Sequence, residues 1–169
     1  MFAFTARANS AARAFLFAGA LWFAVGTTYG LFSAMHLVNP ESFNNIPWLV
    51  FGRTRPAHVN TVIYGFVTST LIGAALYYVP ALLRTRLWSE RLAWFAFACW
   101  QTAVISGPAT FAFGITQGRE YTEYVWPFDF MVMFTLLALL VNLAMTTLNR
   151  KENTLYVSVW YVFGTVMWT

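Results

Sequence analysis

Long apolar runs, broken by short polar connections, leave this chain few folds to adopt. The runs extend from about Ala14 to Val38, Pro56 to Leu83, Leu92 to Thr116 and Phe128 to Leu148. Each is long enough to cross a bilayer as a helix, which takes about 20 residues at about 1.5 Å rise per residue. A fifth run starts near Leu155 and stops at Thr169 in mid-pattern, "LYVSVWYVFGTVMWT". It is expected to be a truncated helix. The expected fold class is therefore all-α, a polytopic membrane helical bundle of four complete transmembrane helices plus a truncated fifth. A single domain, 1–169, is expected. Charge agrees: Asp, Glu, Lys and Arg make up 9% of the chain, against about 25% in ordinary soluble domains. The first run is about 25 residues long, whereas the apolar region of a secretory signal is roughly 7–15.

The basic residues divide unevenly between the two sides. Arg7, Arg13, Arg84, Arg86, Arg91, Arg150 and Lys151 fall on one side. Arg53, Arg55 and Arg119 fall on the other, with Glu41, Glu120, Glu123 and Asp129. The side richer in Lys and Arg faces the cytoplasm, so the N-terminus is expected there. The net charge of +4 follows from this topology, and nothing in it points to nucleic acid. The single cysteine, Cys99, lies inside a run. It excludes an intrachain disulfide, a CxxCH heme attachment and a cysteine-paired copper site.

Only two histidines occur, His36 and His58, and His58 has unusual company. In "FGRTRPAHVNTVIYGF", residues 51–66, two arginines and a proline lead into an apolar run. With Pro56 at the first helical position, His58 lies just inside the outer membrane surface. At helical spacing its face continues through Val62, Gly65, Ser69 and Gly73, a stripe of little bulk. Such a stripe serves close helix packing or the wall of a flat ligand beneath an imidazole. A heme suits the second reading, because imidazole nitrogen is a good axial iron ligand. Arg53 and Arg55 would flank the helix N-terminus and face the propionates. The alternative is that both arginines are interfacial anchors.

The stretch "PWLVFGRTRPAHVNTVIYGF" resembles the second-helix signature of the heme-copper oxidase catalytic subunit, most closely its C family, the cbb3-type cytochrome c oxidases. "YYVPALLRTRLWSERLAWFAFACWQ", "FGITQGREYTEYVWPFD" and "NRKENTLYVSVWY" extend the resemblance over nearly the whole chain beyond residue 15. It implies that His58 is an axial ligand of low-spin heme b, with Arg55 and, less directly, Arg53 near the propionates. It also implies an enzyme of aerobic respiratory electron transport in the bacterial inner membrane, reducing dioxygen with proton translocation. Partners would be the remaining helices of the subunit, membrane heme c subunits and the lipid bilayer. No histidine follows His58, so ligands for the second heme b position, the high-spin heme and copper B are absent. The chain is expected to be the N-terminal portion of such a subunit and inactive alone. The loop "ALLRTRLWSERLAW" holds no Asp, unlike the A family, which starts a proton channel there. The alternatives are a nitric oxide reductase catalytic subunit fragment, a non-catalytic membrane b-type cytochrome, or a degenerate fragment.

Other polar residues carry weaker readings. His36, at the depth of His58, is expected to be an interfacial histidine and not a second ligand. Arg119, Glu120, Glu123 and Asp129 form a loop that would be solvated, a docking surface or, less readily, a hard-cation site. Pro108 is expected to kink the third helix, and Asn142 to find a partner inside the bundle. Trp48, Trp88, Tyr124 and Trp126 suit interfacial belts. Phe95, Phe97 and Phe111 suit lipid contact or packing.

Overall fold

The computed structural model describes residues 8–43, 45–121 and 123–168. Arg7 and Thr169, which enter the charge and truncation readings above, lie outside the described residues. Five helices follow one another: α1, Ser10–Val38; α2, Phe51–Leu82; α3, Glu90–Ala112; α4, Phe128–Leu148; and α5, Val157–Trp168. A single 3₁₀ turn, Pro47–Leu49, precedes α2. Among the described residues, α1, α2 and α4 are long and apolar enough to cross a membrane. The helix expected as a further span, α3, has 23 residues. It begins with Glu90 and Arg91 and carries Gln101 in its middle, which dilutes its apolar character.

Hydrogen bonds define the two ends of the bundle. At one end, the carboxylate of Glu90 accepts from the Asn9 amide, the Ser10 hydroxyl and the Ala11 amide. An acid from α3 thus caps the free N–H groups of α1, which no residue of α1 itself does. At the same end Lys151 donates its amide to the Leu83 carbonyl at 3.1 Å, and Arg84 meets Glu152 at 3.3 Å. The opposite end holds the connections 39–50 and 113–127.

Two seams hold the helices together. Where α3 meets α4, fully buried Asn142 donates to the Ser89 carbonyl at 2.8 Å and accepts from the Ser89 amide at 3.1 Å. A mid-helix amide therefore fastens the start of the neighbouring helix, and Asn142 has the partner its position demands. Ser89 in turn caps α3 by accepting from the Leu92 amide at 3.1 Å. Where α1 meets α2, glycines from both sides let the backbones approach. A methyl on Gly73 would stand 2.9 Å from the Ala12 carbonyl oxygen, and one on Gly65 2.7 Å from the Trp22 ring. Trp100, Phe15, Leu76, Leu83 and Leu143 fill the core between these seams.

The third helix ends at Ala112, four residues before the end expected from hydropathy. Gly114 takes a positive φ of 76°. The Ile115 amide then reaches back to the Thr110 carbonyl, and the Gly114 amide to Phe111. This paired closure is a glycine-terminated helix end. Pro108 lies inside α3 without ending it.

Candidate functional site

The start of α2 differs from the expectation that Pro56 is its first residue. Val50 is extended, with φ −61° and ψ 148°, and the helix begins at Phe51. The Thr54 amide bonds to the Val50 carbonyl at 3.1 Å, so Pro56 sits in the second turn. Its missing N–H leaves only one early carbonyl, that of Gly52, without a helical donor. Arg53 and Arg55 are thus inside the helix and do not flank it.

His58 turns its ring toward α1. Its Nδ1 lies 2.8 Å from the Gly26 carbonyl oxygen. A carbonyl only accepts, so in the neutral ring Nδ1 carries the hydrogen and the lone pair resides on Nε2. One turn along α1, a methyl on Gly30 would stand 2.8 Å from the ring Cε1 and 2.9 Å from Nδ1. The ring therefore lies on bare backbone, with one nitrogen committed and the other available. That is the state a metal-binding imidazole requires.

The two arginines reach different partners. Arg53 Nη1 donates to the Ala112 carbonyl at 2.7 Å, one of the carbonyls left free where α3 ends. Arg55 Nη2 meets Glu120 Oε1 at 2.7 Å, with both side chains about half exposed. Arg55 stands three residues before His58 on the same face of the helix, whereas Arg53 is five before and turned away.

The small-residue stripe does not run straight. Thr61–Thr68 form a π-helical segment between the two α-helical parts of α2. The Thr68 hydroxyl donates to the Ile63 carbonyl, five residues back, at 2.8 Å. Wider turns interrupt the 3.6-residue period after His58, yet Val62, Gly65 and Gly73 still face α1, as His58 does. Three of the stripe residues touch neighbouring helices. Gly65 and Gly73 meet Trp22, Ala12 and Leu16 of α1. Ser69 accepts from Trp100 Nε1 of α3 at 3.0 Å.

Opposite the imidazole, α2 carries buried polar groups that the sequence reading passed over. Asn60 is fully buried and donates Nδ2 to Glu123 Oε2 at 2.9 Å and to the Pro56 carbonyl at 2.8 Å. Among the described residues its Oδ1 has no hydrogen-bond partner, and neither has the buried hydroxyl of Tyr124. Tyr124, expected in an interfacial belt, instead packs under α3, where a methyl on Gly107 would collide with its ring. Burial pushes its phenol well above the ordinary value. Trp48 and Trp126 are exposed, as a belt requires. The signal for Asn60 was present: a polar residue inside an apolar run demands a partner.

The remaining candidates separate. His36 is buried, and its Nε2 lies 2.7 Å from the Leu49 carbonyl, with Phe43 and Phe51 around the ring. Its contacts hold the connection between α1 and α2. The acids of and beside the 113–127 connection go to three places: Glu120 to Arg55, Glu123 to Asn60, and Asp129 to Gln117 Nε2 at 2.8 Å. Among the described residues, no group of three His, Cys, Asp or Glu side chains could hold a metal ion.

The fold is that of a helical membrane bundle, and both of its imidazoles are tethered to backbone carbonyls at the end that holds the connections 39–50 and 113–127. Residues 10–169 match the family described as Cytochrome C and Quinol oxidase polypeptide I, and the chain belongs to that family. It is 33% identical over 165 residues to the Cbb3-type cytochrome c oxidase subunit CcoN1 of Stutzerimonas stutzeri, covering 98% of this chain and 35% of that protein. It is 34% identical over 146 residues to a Cytochrome c oxidase subunit 1 homolog of Agrobacterium tumefaciens (strain T37), covering 86% and 27%. The Cytochrome c oxidase subunit 1 of Rhodobacter capsulatus is 33% identical over 159 residues, covering 92% and 30%. The chain spans about a third of the length of these relatives.

Proposed function

We propose that the chain forms the N-terminal helices of the catalytic subunit of a cbb3-type cytochrome c oxidase and that His58 supplies one axial ligand to low-spin heme b. The observation that carries this reading is the Nδ1 contact with the Gly26 carbonyl, which leaves Nε2 free to bind iron. When bound, the heme supplies one-electron transfer. The protein's part is to present Nε2, exclude water and neutralise the propionates. Arg55, on the His58 face, is the residue for the propionates, since its half-exposed bond to Glu120 is readily exchanged. Arg53 is more firmly occupied by the α3 terminus, so its role there is secondary.

In the complete subunit, electrons would enter from membrane heme c subunits and pass on to a high-spin heme and copper B held by later helices. Dioxygen reduction and proton translocation would belong to that assembly in the bacterial inner membrane, with the Glu90 end facing the cytoplasm. The present chain alone would be inactive. The test is His58→Ala in the full-length subunit. The low-spin heme b spectrum should disappear, because Asn60 and Thr61 are weak ligands engaged elsewhere. Retention of a normal low-spin spectrum would overturn the assignment.

A further inference from the structure

We propose that Gly26 and Gly30 of α1 are positioning residues for the His58 imidazole. The proposal rests on His58 being the iron ligand. In it, the Gly26 carbonyl fixes which ring nitrogen bears the hydrogen, and the bare face of Gly30 holds the ring against that carbonyl.

The geometry is specific to this pair. The Gly26 carbonyl belongs to α1, where one lone pair serves the helix, and the 2.8 Å contact places the imidazole N–H on the other. One turn later Gly30 offers the ring no side chain. A methyl there would lie 2.8 Å from Cε1, 2.9 Å from Nδ1 and 3.4 Å from Nε2. The first two distances are too short to persist, so the ring must leave the carbonyl. The other glycines of the seam behave differently. Gly19 faces the Thr70 hydroxyl, with a methyl contact of 2.5 Å, and Gly65 faces Trp22. They admit packing, while Gly30 admits the ring that presents Nε2.

The chemistry gives a direction. Donation from Nδ1 to a carbonyl raises the basicity of Nε2. A more basic ligand favours ferric over ferrous iron, so the contact holds the reduction potential down. Losing it should raise the potential and loosen the heme.

The experiment uses the full-length subunit in its assembled complex. Gly30→Ala should lower low-spin heme content at near-normal protein level and shift the potential of the remaining heme upward. Gly19→Ala disturbs the same helix seam without touching the ring and should leave the potential unchanged. If both variants gave the same potential, the positioning role would be lost and only packing would remain. Should Gly30→Ala fail to accumulate, His58→Gly reconstituted with imidazole or 1-methylimidazole decides. Both ligate through one nitrogen, but only imidazole has an N–H for Gly26. Imidazole should give the lower potential, and equal potentials would overturn the proposal. The underlying reading fails separately, and visibly, if His58→Gly keeps a low-spin heme with no added azole.

Discussion

The two ends of the bundle use carboxylates in opposite ways. At one end Glu90 accepts from the Asn9 and Ala11 amides and the Ser10 hydroxyl, while Ser10 also accepts from Trp94 Nε1 at 2.9 Å. At the other, Glu123 receives Asn60 Nδ2, and among the described residues Asn60 Oδ1 and the Tyr124 hydroxyl stay unpaired. Glu120 there holds Arg55 in a half-exposed pair. A carboxylate that satisfies several partly buried donors fixes a structure, because nothing is gained by moving it. Unpaired polar groups leave bonding capacity unspent; of the three such buried side-chain atoms among the described residues, two lie at the end that carries His58 and the third, Gln101 Nε2, lies mid-way along α3. The contrast teaches that the Glu90 end is built for rigidity and the His58 end for engaging something more.

The largest stability effect is expected at the rigid end. Glu90→Ala leaves the α1 N-terminus without its acceptor and should destabilise by about 1–3 kcal/mol. Glu90→Gln keeps one oxygen acceptor and should lose less. Thermal melts of the purified protein in detergent would rank the two. Equal melting for Glu90→Ala and the parent would remove the rigid side of the comparison.

Next is Glu123→Leu, which strips Asn60 of its acceptor while Pro56 still receives one of its hydrogens. A loss of about 1–2 kcal/mol is expected. If Glu123→Leu instead cost more than Glu90→Ala, the two ends would have to exchange roles.

Tyr124→Phe should be nearly neutral or slightly stabilising at neutral pH, since the hydroxyl it removes has no partner among the described residues. Alkaline pH sharpens the test. Burial raises the phenol above its ordinary 10.0 in the folded protein. The unfolded chain therefore releases its proton first, and stability falls as pH rises above about 10. Melting curves at rising pH should show this loss in the parent and a smaller one in Tyr124→Phe. An identical alkaline slope in both would mean that Tyr124 is not the group responsible.

What the sequence made legible follows from what hydropathy measures. Transfer of apolar surface locates α1, α2 and α4 within a few residues, and the Lys and Arg asymmetry groups Arg84, Arg86 and Arg91 with Lys151 at one end. The isolated His58 was conspicuous because an ionisable ring beside an apolar run needs a reason. Hydropathy misplaced the start of α2, because Arg53 and Arg55 read as loop although helical backbone tolerates them and Pro56 in its first turns. It could not register the π segment, which depends on hydrogen bonding and not on composition. Gly26 and Gly30 gave no signal of their own, since a glycine in an apolar run says nothing of the ring above it. Tyr124 looked interfacial by position, and only the fold of the 113–127 connection buries it.

The smallest stability effect belongs to Arg55, and its value lies in a different readout. Arg55→Leu breaks a half-exposed ion pair, which contributes little where water screens it. Melting should barely change, in contrast with Glu90→Ala. In the full-length subunit, on the role proposed for Arg55, the same substitution would leave propionate charge poorly compensated where screening is weak. Negative charge near the iron favours the ferric state, so the midpoint potential of heme b should fall while heme content stays near normal. Arg55→Lys keeps the charge but loses the planar two-pronged donor and should fall between. Gly30→Ala should move the potential the other way, because it weakens the ligand and not the charge balance. Opposite signs from two residues near one imidazole would separate ligand basicity from electrostatics. A potential unchanged or raised in Arg55→Leu would remove Arg55 from the propionates and leave it a tie between α2 and the Glu120 loop.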